Sequence, residues 1–335
     1  MKLKNKIIGV SLFIFALGLN LQASNMPKDW NGPIIQGPPS GEGMLGKGPS
    51  RENVKTKFID LAYATKSERQ KLDLYLPNSG NKPYPLIIHI HGGAFFGGNK
   101  YDEQLFPMFS GLDKGYAVAS VNYRLSPEAK WPAQINDVKA AIKYLKANAD
   151  KYNIDPNKII LWGGSAGGHL SALAGVSPTV KELEDPSLGN SDVIPSVAAV
   201  VDWFGPIDFL AMDEQWKIIG IDGEKHSTPD SFESFLMREQ ITKVPELLKT
   251  SNPENYITKD APVFFIQHGT ADKIIPALQG KNFADKLTAV IGEERVYFEY
   301  LEGANHGHEE KMFSTKENVD KIFEFIERHL NMKNK

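Results

Sequence analysis

The sequence predicts an α/β fold in which a mostly parallel central sheet is flanked by helices. Three observations predict it. From about residue 57 onward, short apolar runs alternate with helical patterns. The runs are continuously apolar, as in Pro-Leu-Ile-Ile-His-Ile at 85–90, which is typical of parallel strands covered on both faces. A glycine-flanked serine also stands between one such run and a helical pattern.

The predicted elements follow the chain in a βαβ series. Strands are predicted at 71–76, 86–91, 117–123, 159–163, 197–203, 263–268 and 296–301. Helices are predicted at 132–147, 166–176, 277–290 and 316–330. In the first helix, Ile135, Val138 and Ile142 recur at three- and four-residue intervals, so Lys139, Lys143 and Lys146 are expected to face solvent.

Composition limits the classes of function. The chain has 335 residues, of which 41% are hydrophobic and 24% charged, and its net charge is −3. This apolar content allows a sizeable core and excludes a disordered or collagen-like chain. The absence of cysteine excludes disulfides, a thiolate nucleophile and cysteine-ligated metals. Because nucleic-acid binding leaves a basic surface, the weakly acidic balance argues against that role.

The first residues resemble a secretory signal peptide. Lys2, Lys4 and Lys6 precede an uncharged run at 7–21, and Ala23 ends a Leu-Gln-Ala triplet suited to cleavage. The run is short for the ~20 residues that cross a bilayer, which disfavours an uncleaved anchor. We therefore expect residues 1–23 to be removed, export to the periplasm or outside the cell, and no stable membrane anchor afterwards.

The rest of the chain is expected to form one domain. Residues 24–56 include a Gly/Pro-rich stretch that we interpret as an exposed tether, with a loop that wraps the domain or lines a site as the alternative. Residues 57–335 form the predicted domain. Within it, residues 177–260 interrupt the βαβ alternation after one strand, and we interpret them as a variable region with a helical insertion before the strand that precedes Asp272.

The strongest chemical signal is Gly163-Gly164-Ser165-Ala166-Gly167. It comes directly after one predicted strand and directly before a helix, so the Ser165 hydroxyl is expected to project from a tight turn above the sheet. A phosphate-binding turn is the structural alternative, but no dinucleotide fingerprint or Lys-Ser/Thr pair accompanies it. We interpret Ser165 as a nucleophile, which requires a histidine base and a carboxylate.

Both partners stand in loops after later strands. Asp272 follows the strand at 263–268 and His306 follows the strand at 296–301, so both are expected at the carboxyl edge of the sheet. The chain order Ser, Asp, His fits this architecture. His308 is an alternative base, and Asp260 an alternative acid that lies at the wrong edge. A metal site at His306, His308, Glu309 and Glu310 is a further alternative that we do not favour.

A second glycine-rich turn, His91-Gly92-Gly93-Ala94-Phe95, follows the strand at 86–91. Small residues let backbone N–H groups approach a ligand, so the amides of Gly93, Ala94 and Ala166 are the predicted oxyanion-hole donors. A simple glycine turn is the alternative. Phe95, Phe96 and Trp131 are candidates for a sugar or acyl pocket, although packing in the core explains them more simply.

These motifs resemble the α/β-hydrolase fold. More narrowly, the chain resembles secreted esterases of the hormone-sensitive lipase branch and the feruloyl and acetyl-xylan esterase-like carbohydrate esterases. The resemblance runs from about residue 57 to 330. It rests on the segments 91–95, 121–126, 132–137, 164–170, 268–276 and 303–307. Two departures are Ala94 in place of a third glycine, and the variable region 177–260, which matches no particular substrate.

The resemblance implies a secreted serine esterase that needs no cofactor and no metal. Its substrate is expected to be a small-molecule or oligosaccharide ester, with acetyl or hydroxycinnamoyl groups on carbohydrate favoured. A general short-chain carboxylesterase or lipase-like enzyme is the first alternative and a serine peptidase the next. A catalytically inactive binding protein of the same fold is an alternative of another class. The oligomeric state does not follow from the sequence.

Overall fold

A single eight-stranded sheet organises the protein. The structure is a computed structural model that describes residues 46–307 and 312–330. Its strands are β1 Thr56–Ala62, β2 Lys71–Leu76, β3 Tyr84–Ile90, β4 Ala117–Val121, β5 Ile154–Gly164, β6 Ala199–Trp203, β7 Val263–Gly269 and β8 Val296–Leu301.

The strand order is β1-β2-β4-β3-β5-β6-β7-β8. Strands β3 to β8 pair in parallel, whereas β2 is antiparallel to both β1 and β4. Because parallel strands end at the same edge of a sheet, the loops after β3, β5, β7 and β8 open on one side of the molecule. The sheet therefore brings together segments that are far apart in the chain.

Helices cover both faces of the sheet. They are α1 Phe106–Phe109, α2 Ala133–Ala147, α3 Ala149–Tyr152, α4 Ala166–Val176, α5 Met212–Ile219, α6 Phe232–Met237, α7 Pro245–Lys249, α8 Leu278–Ile291 and α9 Lys316–His329. Side chains alternate along each strand, so Leu86 and Ile88 belong to the core cluster that also holds residues of α2, α4 and α8, while Ile87 belongs to the cluster that holds residues of α1 and α9. Both faces of the central strands are buried, as the continuous apolar runs predict.

The largest omission from the predicted elements is β1. Its residues are mostly exposed, with only Phe58 and Leu61 partly buried and packed on the core. An edge strand of this kind lacks the apolar run that marked the central strands. The observed β5 also begins at Ile154, five residues before the predicted start at 159, because Ile154 pairs with Tyr84 before the register shifts.

The prediction that Lys139 and Lys143 face solvent is wrong. Their residues are only 1% and 5% exposed. The chain after α4 folds back over this face of α2, where Lys139 Nζ donates to the carbonyl of Ser177 and Lys143 Nζ lies 2.6 Å from Glu184 Oε2. Helical periodicity identified the apolar stripe but did not reveal that a distant segment covers the opposite side.

The end of the predicted tether also differs from expectation. Gly48 and Pro49 are buried, and the Pro49 carbonyl accepts a hydrogen bond from Tyr101 at 2.7 Å. Arg51 contacts Asp73 at 3.3 Å and lies 3.7 Å from the centre of the Tyr101 ring. Residues 46–55 therefore pack against the domain. The predicted signal peptide 1–23, residues 24–45 of the predicted arm, and residues 308–311 and 331–335 lie outside the described residues.

Between β6 and β7, the variable region contains α5, α6 and α7. It also contains two short 3-10 helices, Ile241–Lys243 and Pro253–Tyr256. It contributes buried aromatic side chains at Phe209, Trp216 and Phe235. Within residues 46–307 and 312–330, no helix has the length and apolar character needed to cross a membrane.

Candidate active site

Ser165 occupies the sharp turn between β5 and α4. Its backbone has φ 56° and ψ −127°, a strained conformation for a residue with a side chain. The Ser165 N–H donates to the Trp203 carbonyl at 2.9 Å, which fixes the turn against β6. A Cβ at Gly167 would collide with the Ile90 carbonyl, so only glycine allows the first turn of α4 to sit against the end of β3. The hydroxyl is thereby presented at the carboxyl edge of the sheet.

The structure brings Ser165, Asp272 and His306 into one hydrogen-bonded chain. His306 Nε2 lies 3.0 Å from Ser165 Oγ, and His306 Nδ1 lies 2.8 Å from Asp272 Oδ2. The loop after β7 supplies Asp272, and the loop after β8 supplies His306. Of the alternatives, Asp260 precedes β7 and so lies at the other edge, while His308, Glu309 and Glu310 lie outside the described residues.

Asp272 is 1% exposed and is held by several donors. Its Oδ1 accepts from the backbone N–H groups of Ile274 at 2.8 Å and Ile275 at 2.9 Å. Burial alone would raise the pKa of Asp272, but the interactions with His306 and His268 outweigh burial and hold this pKa well below its ordinary value. The carboxylate is therefore ionised at neutral pH. We call residues 270–275 the acid loop.

A second histidine contacts the same carboxylate. His268 Nε2 lies 3.3 Å from Asp272 Oδ2 and 3.0 Å from the Ile275 carbonyl. Because a carbonyl and a carboxylate both accept, this nitrogen carries a proton. His268 stands at the end of β7 and is completely buried. The His-Gly pair at 268–269 was noted in the sequence, but its contact with Asp272 was not predicted.

Phe204 packs beside the imidazole of His306. The two ring centres are 4.7 Å apart, and Phe313 supports Phe204 from another side at the same separation. Phe204 directly follows β6 and has φ 44°, so its backbone turns sharply at the edge of the site. The side chain of His306 remains 15% exposed. Apolar contact thus orients the ring while leaving it accessible from one side.

The predicted oxyanion loop lies against Ser165. A Cβ built on Gly92 would be 3.4 Å from Ser165 Cβ and 2.9 Å from the Gly164 carbonyl, so the loop approaches as closely as glycine allows. Gln104 Oε1 accepts the Gly92 N–H at 2.8 Å and anchors the start of the loop. This contact from Gln104 was not predicted from the sequence.

Gly93 and Ala94 have φ 105° and 55°. The substitution of Ala94 for a third glycine is therefore accommodated in a left-handed conformation that alanine adopts at some energetic cost. The Gly93 carbonyl accepts from Phe96 and Gly97, which closes the turn. Ala166 begins α4, where the first N–H groups of a helix lack helical partners. Gly93 and Ala94 thus lie on the loop whose Gly92 approaches Ser165, and Ala166 directly follows Ser165 in the chain.

Several aromatic and histidine side chains in or next to the site motifs are buried. Phe95, Phe96 and Trp131 are 1–2% exposed and pack in the core, so they do not form an open pocket wall. Burial lowers the pKa of His89 and His91 to about 3 and that of His169 to about 4, which keeps all three neutral. Within the described ranges 46–307 and 312–330, no three His, Asp or Glu side chains are grouped to hold a metal ion.

Comparison with known families matches residues 72–287 to the BD-FAE family. The chain belongs to this family. The match covers β2 through most of α8 and includes Ser165 and Asp272, whereas His306 lies beyond it.

Similar proteins include esterases. Esterase LipC of Mycobacterium tuberculosis is 34% identical over 232 residues, which cover 68% of this chain and 53% of that protein. The probable carboxylic ester hydrolase LipM of the same organism is 32% identical over 245 residues, covering 72% of this chain and 54% of that protein. The chain thus spans about half the length of the curated relatives it matches.

Solved structures confirm the predicted α/β-hydrolase fold. A truncated carbohydrate esterase from gut microbiota is 33% identical with a TM-score of 0.75, covering 85% of this chain and all of that chain. The bifunctional GH43-CE protein of Bacteroides eggerthii is 36% identical with a TM-score of 0.74, covering 82% of this chain and 35% of that chain. The resemblance to serine esterases that the sequence motifs suggested is therefore confirmed.

Proposed function

We propose that this protein is a serine carboxylic-ester hydrolase that works through an acyl-enzyme. The observation that carries the proposal is the placement of His306 between Ser165 Oγ at 3.0 Å and Asp272 Oδ2 at 2.8 Å. The ionised Asp272 accepts the Nδ1–H of His306, so the opposite ring nitrogen is free to accept the serine proton. A hydroxyl that is unreactive alone becomes a nucleophile in this arrangement.

The reaction has two halves. His306 takes the proton of Ser165 as Oγ attacks the ester carbonyl, and the amides of Gly93, Ala94 and Ala166 donate to the resulting oxyanion. The protonated His306 then gives its proton to the departing alcohol, which leaves Ser165 acylated. Water attacks the acyl group by the same proton transfers and restores the free enzyme.

Labelling tests this proposal directly. A fluorophosphonate should react with the wild-type protein and add its phosphonyl group to Ser165, as shown by peptide mass spectrometry. The label should be absent in Ser165→Ala, and the variant should also lose hydrolysis of p-nitrophenyl acetate. A protein that takes no label and hydrolyses no ester would instead be a binding protein of the same fold.

For the substrate, we propose acetyl or hydroxycinnamoyl esters of carbohydrate. This choice is supported by two carbohydrate-esterase neighbours with TM-scores of 0.75 and 0.74. Acetate release from acetylated xylan, measured beside ferulate release from feruloylated oligosaccharide, separates the two acyl groups. We expect kcat/KM for acetylated xylan or for feruloylated oligosaccharide to exceed kcat/KM for p-nitrophenyl butyrate.

A general short-chain carboxylesterase is the second candidate, because Esterase LipC is 34% identical to this chain. It predicts comparable rates on p-nitrophenyl esters from acetate to hexanoate and negligible acetate release from xylan. The same substrate series therefore decides between the two candidates.

We also propose export, on the basis of the lysines at 2, 4 and 6 and the uncharged run at 7–21. When the full chain is expressed in a Gram-negative host, the exported form should begin after Ala23. Intact mass and amino-terminal sequencing of the periplasmic fraction and the culture medium test this expectation. Full-length protein confined to the cytoplasm would contradict it.

A further inference from the structure

One buried histidine in the variable region differs from the others. His226 lies between α5 and α6 and is 3% exposed. Its Nδ1 is 3.1 Å from Glu233 Oε1 of α6, and its Nε2 is 2.9 Å from the carbonyl of Ile274 in the acid loop. The imidazole thus spans the gap between the variable region and the loop that holds Asp272.

The geometry fixes the protonation of this ring. A carboxylate oxygen and a carbonyl oxygen are both hydrogen-bond acceptors, so each ring nitrogen must carry a proton to bond its partner. Only the imidazolium form makes both bonds. A neutral ring would keep one proton and lose its hydrogen bond to one of these two acceptors.

The surrounding charges stabilise that cation. Glu233 faces it from α6, Glu224 interacts with it from the same loop, and Asp213 of α5 accepts the His226 backbone N–H at 2.8 Å. On the acid loop, the charged residues are Asp272 and Lys273. Burial by itself lowers the pKa of His226, but Glu233 and Glu224 outweigh it and raise this pKa to about 9.

The contact continues to the carboxylate of Asp272. The Glu224 N–H donates to the Lys273 carbonyl at 2.9 Å, beside the His226 bond to Ile274. The N–H of Ile274 in turn donates to Asp272 Oδ1 at 2.8 Å. In the segment 273–274, both carbonyls therefore accept hydrogen bonds from the variable region, and the N–H of Ile274 donates to Asp272.

We propose that His226, as a buried imidazolium paired with Glu233, is a positioning residue that holds the acid loop in the geometry that Asp272 needs. This role rests on the proposed function only for its effect on ester hydrolysis. The mechanical link between the variable region and the acid loop exists whether or not the protein is an esterase. The link gives the insertion before β7 a role in the active site.

The link depends on pH in a defined direction. When the folded-state pKa of a histidine is raised above its ordinary value of about 6.5, the histidine contributes its full stabilisation at pH values below 6.5. The stabilisation is lost as pH rises through about 9. We therefore expect kcat to fall on the alkaline side near pH 9, with the KM of a small ester changing little, because the loop orients a catalytic group rather than binding the ester.

The decisive experiment compares His226→Gln with His329→Gln. His329 of α9 also has both ring nitrogens near carbonyls, those of Phe325 at 2.8 Å and Glu294 at 2.7 Å. Glu294 precedes β8, so this matched control lies at the opposite edge of the sheet. Amide hydrogen exchange followed by mass spectrometry should be faster at 272–276 in His226→Gln and unchanged there in His329→Gln.

Activity provides the second measurement. In His226→Gln, kcat for p-nitrophenyl acetate at pH 7 should fall about 10-fold or more, since small displacements of a catalytic group have effects of this size. The alkaline fall near pH 9 should disappear. Exchange at 272–276 and a pH profile both equal to those of wild type would overturn the proposal.

Glu233→Gln keeps the assay decisive if His226→Gln does not fold. It retains the size of the side chain but removes the charge that raises the pKa of His226, so the alkaline fall in kcat should move to lower pH by about one unit or more. An unmoved profile contradicts the proposal. If Ser165→Ala retained activity while exchange at 272–276 rose in His226→Gln, the esterase proposal would fail and the link would stand.

Discussion

Replacing Asp272 by Asn changes the site by one atom and tests the role of the acid. The Ile274 and Ile275 N–H groups bond Asp272 Oδ1, so they will keep the oxygen of an asparagine in that position. The amide NH₂ then takes the place of Oδ2, 2.8 Å from His306 Nδ1. Because this NH₂ donates, His306 must accept at Nδ1 and carry its proton at Nε2, where it cannot receive the proton of Ser165.

A forced wrong tautomer of this kind costs about 10⁴-fold in turnover, equivalent to roughly 5 kcal/mol of transition-state stabilisation. The assay is the initial rate of p-nitrophenyl acetate hydrolysis, with melting temperature measured in parallel. Asp260→Asn is the matched control, because Asp260 lies before β7 at the other edge of the sheet. Asp272→Asn retaining more than a tenth of wild-type kcat/KM would refute the assignment.

The same variant should change stability at acid pH. The pKa of Asp272 is held below its ordinary value, against the effect of burial, by His306 and His268. A carboxyl group of this kind stabilises the folded state above its unfolded pKa of about 4, and that stability is lost as pH falls further. Between pH 5 and 3, chemical denaturation should therefore show a steeper loss for wild type than for Asp272→Asn. Equal slopes would contradict the low pKa.

Three further variants extend these tests. Ser165→Ala should lower kcat/KM for p-nitrophenyl acetate by at least about 10⁴-fold while circular dichroism stays unchanged; near-wild-type hydrolysis would remove Ser165 from the mechanism. Gly167→Ala places a methyl group against the Ile90 carbonyl, so the free energy of unfolding should fall by about 2 kcal/mol or more. A urea midpoint equal to that of wild type would contradict the close approach of Gly167 to Ile90. Burial lowers the pKa of Lys139 to about 8. Between pH 8 and 10.5, the free energy of unfolding of wild type should therefore rise relative to that of Lys139→Met, by up to roughly 3 kcal/mol. If the two plots of unfolding free energy against pH run parallel, Lys139 is charged in the folded state as it is in the unfolded state.

The sequence predicted the central sheet well because its strands are buried on both faces. The run at 85–90 allows no solvent-facing side, and the structure places it in β3 with neighbours on either side. The edge strand β1 was missed for the opposite reason. Its exposed residues carry a weak pattern, and pairing with β2 along the backbone decides its conformation.

The site was predictable where one short motif fixes a local conformation. Gly163 and Gly167 permit the turn at Ser165, and Asp272 and His306 follow apolar strands that end at the same edge. The contacts made by His268, Phe204 and Gln104 were not predictable in this way. Nothing in the sequence marks any of them, and only its contact with a loop of the candidate site distinguishes it.

The sequence by itself determined the fold class, the chain order of Ser165, Asp272 and His306, and the turn that presents Ser165. These features depend on hydrophobic periodicity and on local steric requirements, and both can be recognised from residues that are close together in the chain. Only the tertiary structure decided the buried environment of Lys139 and the protonated state of His226. The neighbours that set them, Ser177 and Glu184 for the lysine and Glu233 and Ile274 for the histidine, come from other elements. Desolvation and charge pairing depend on distances between groups in the folded protein, and the separation of two residues along the sequence does not indicate those distances.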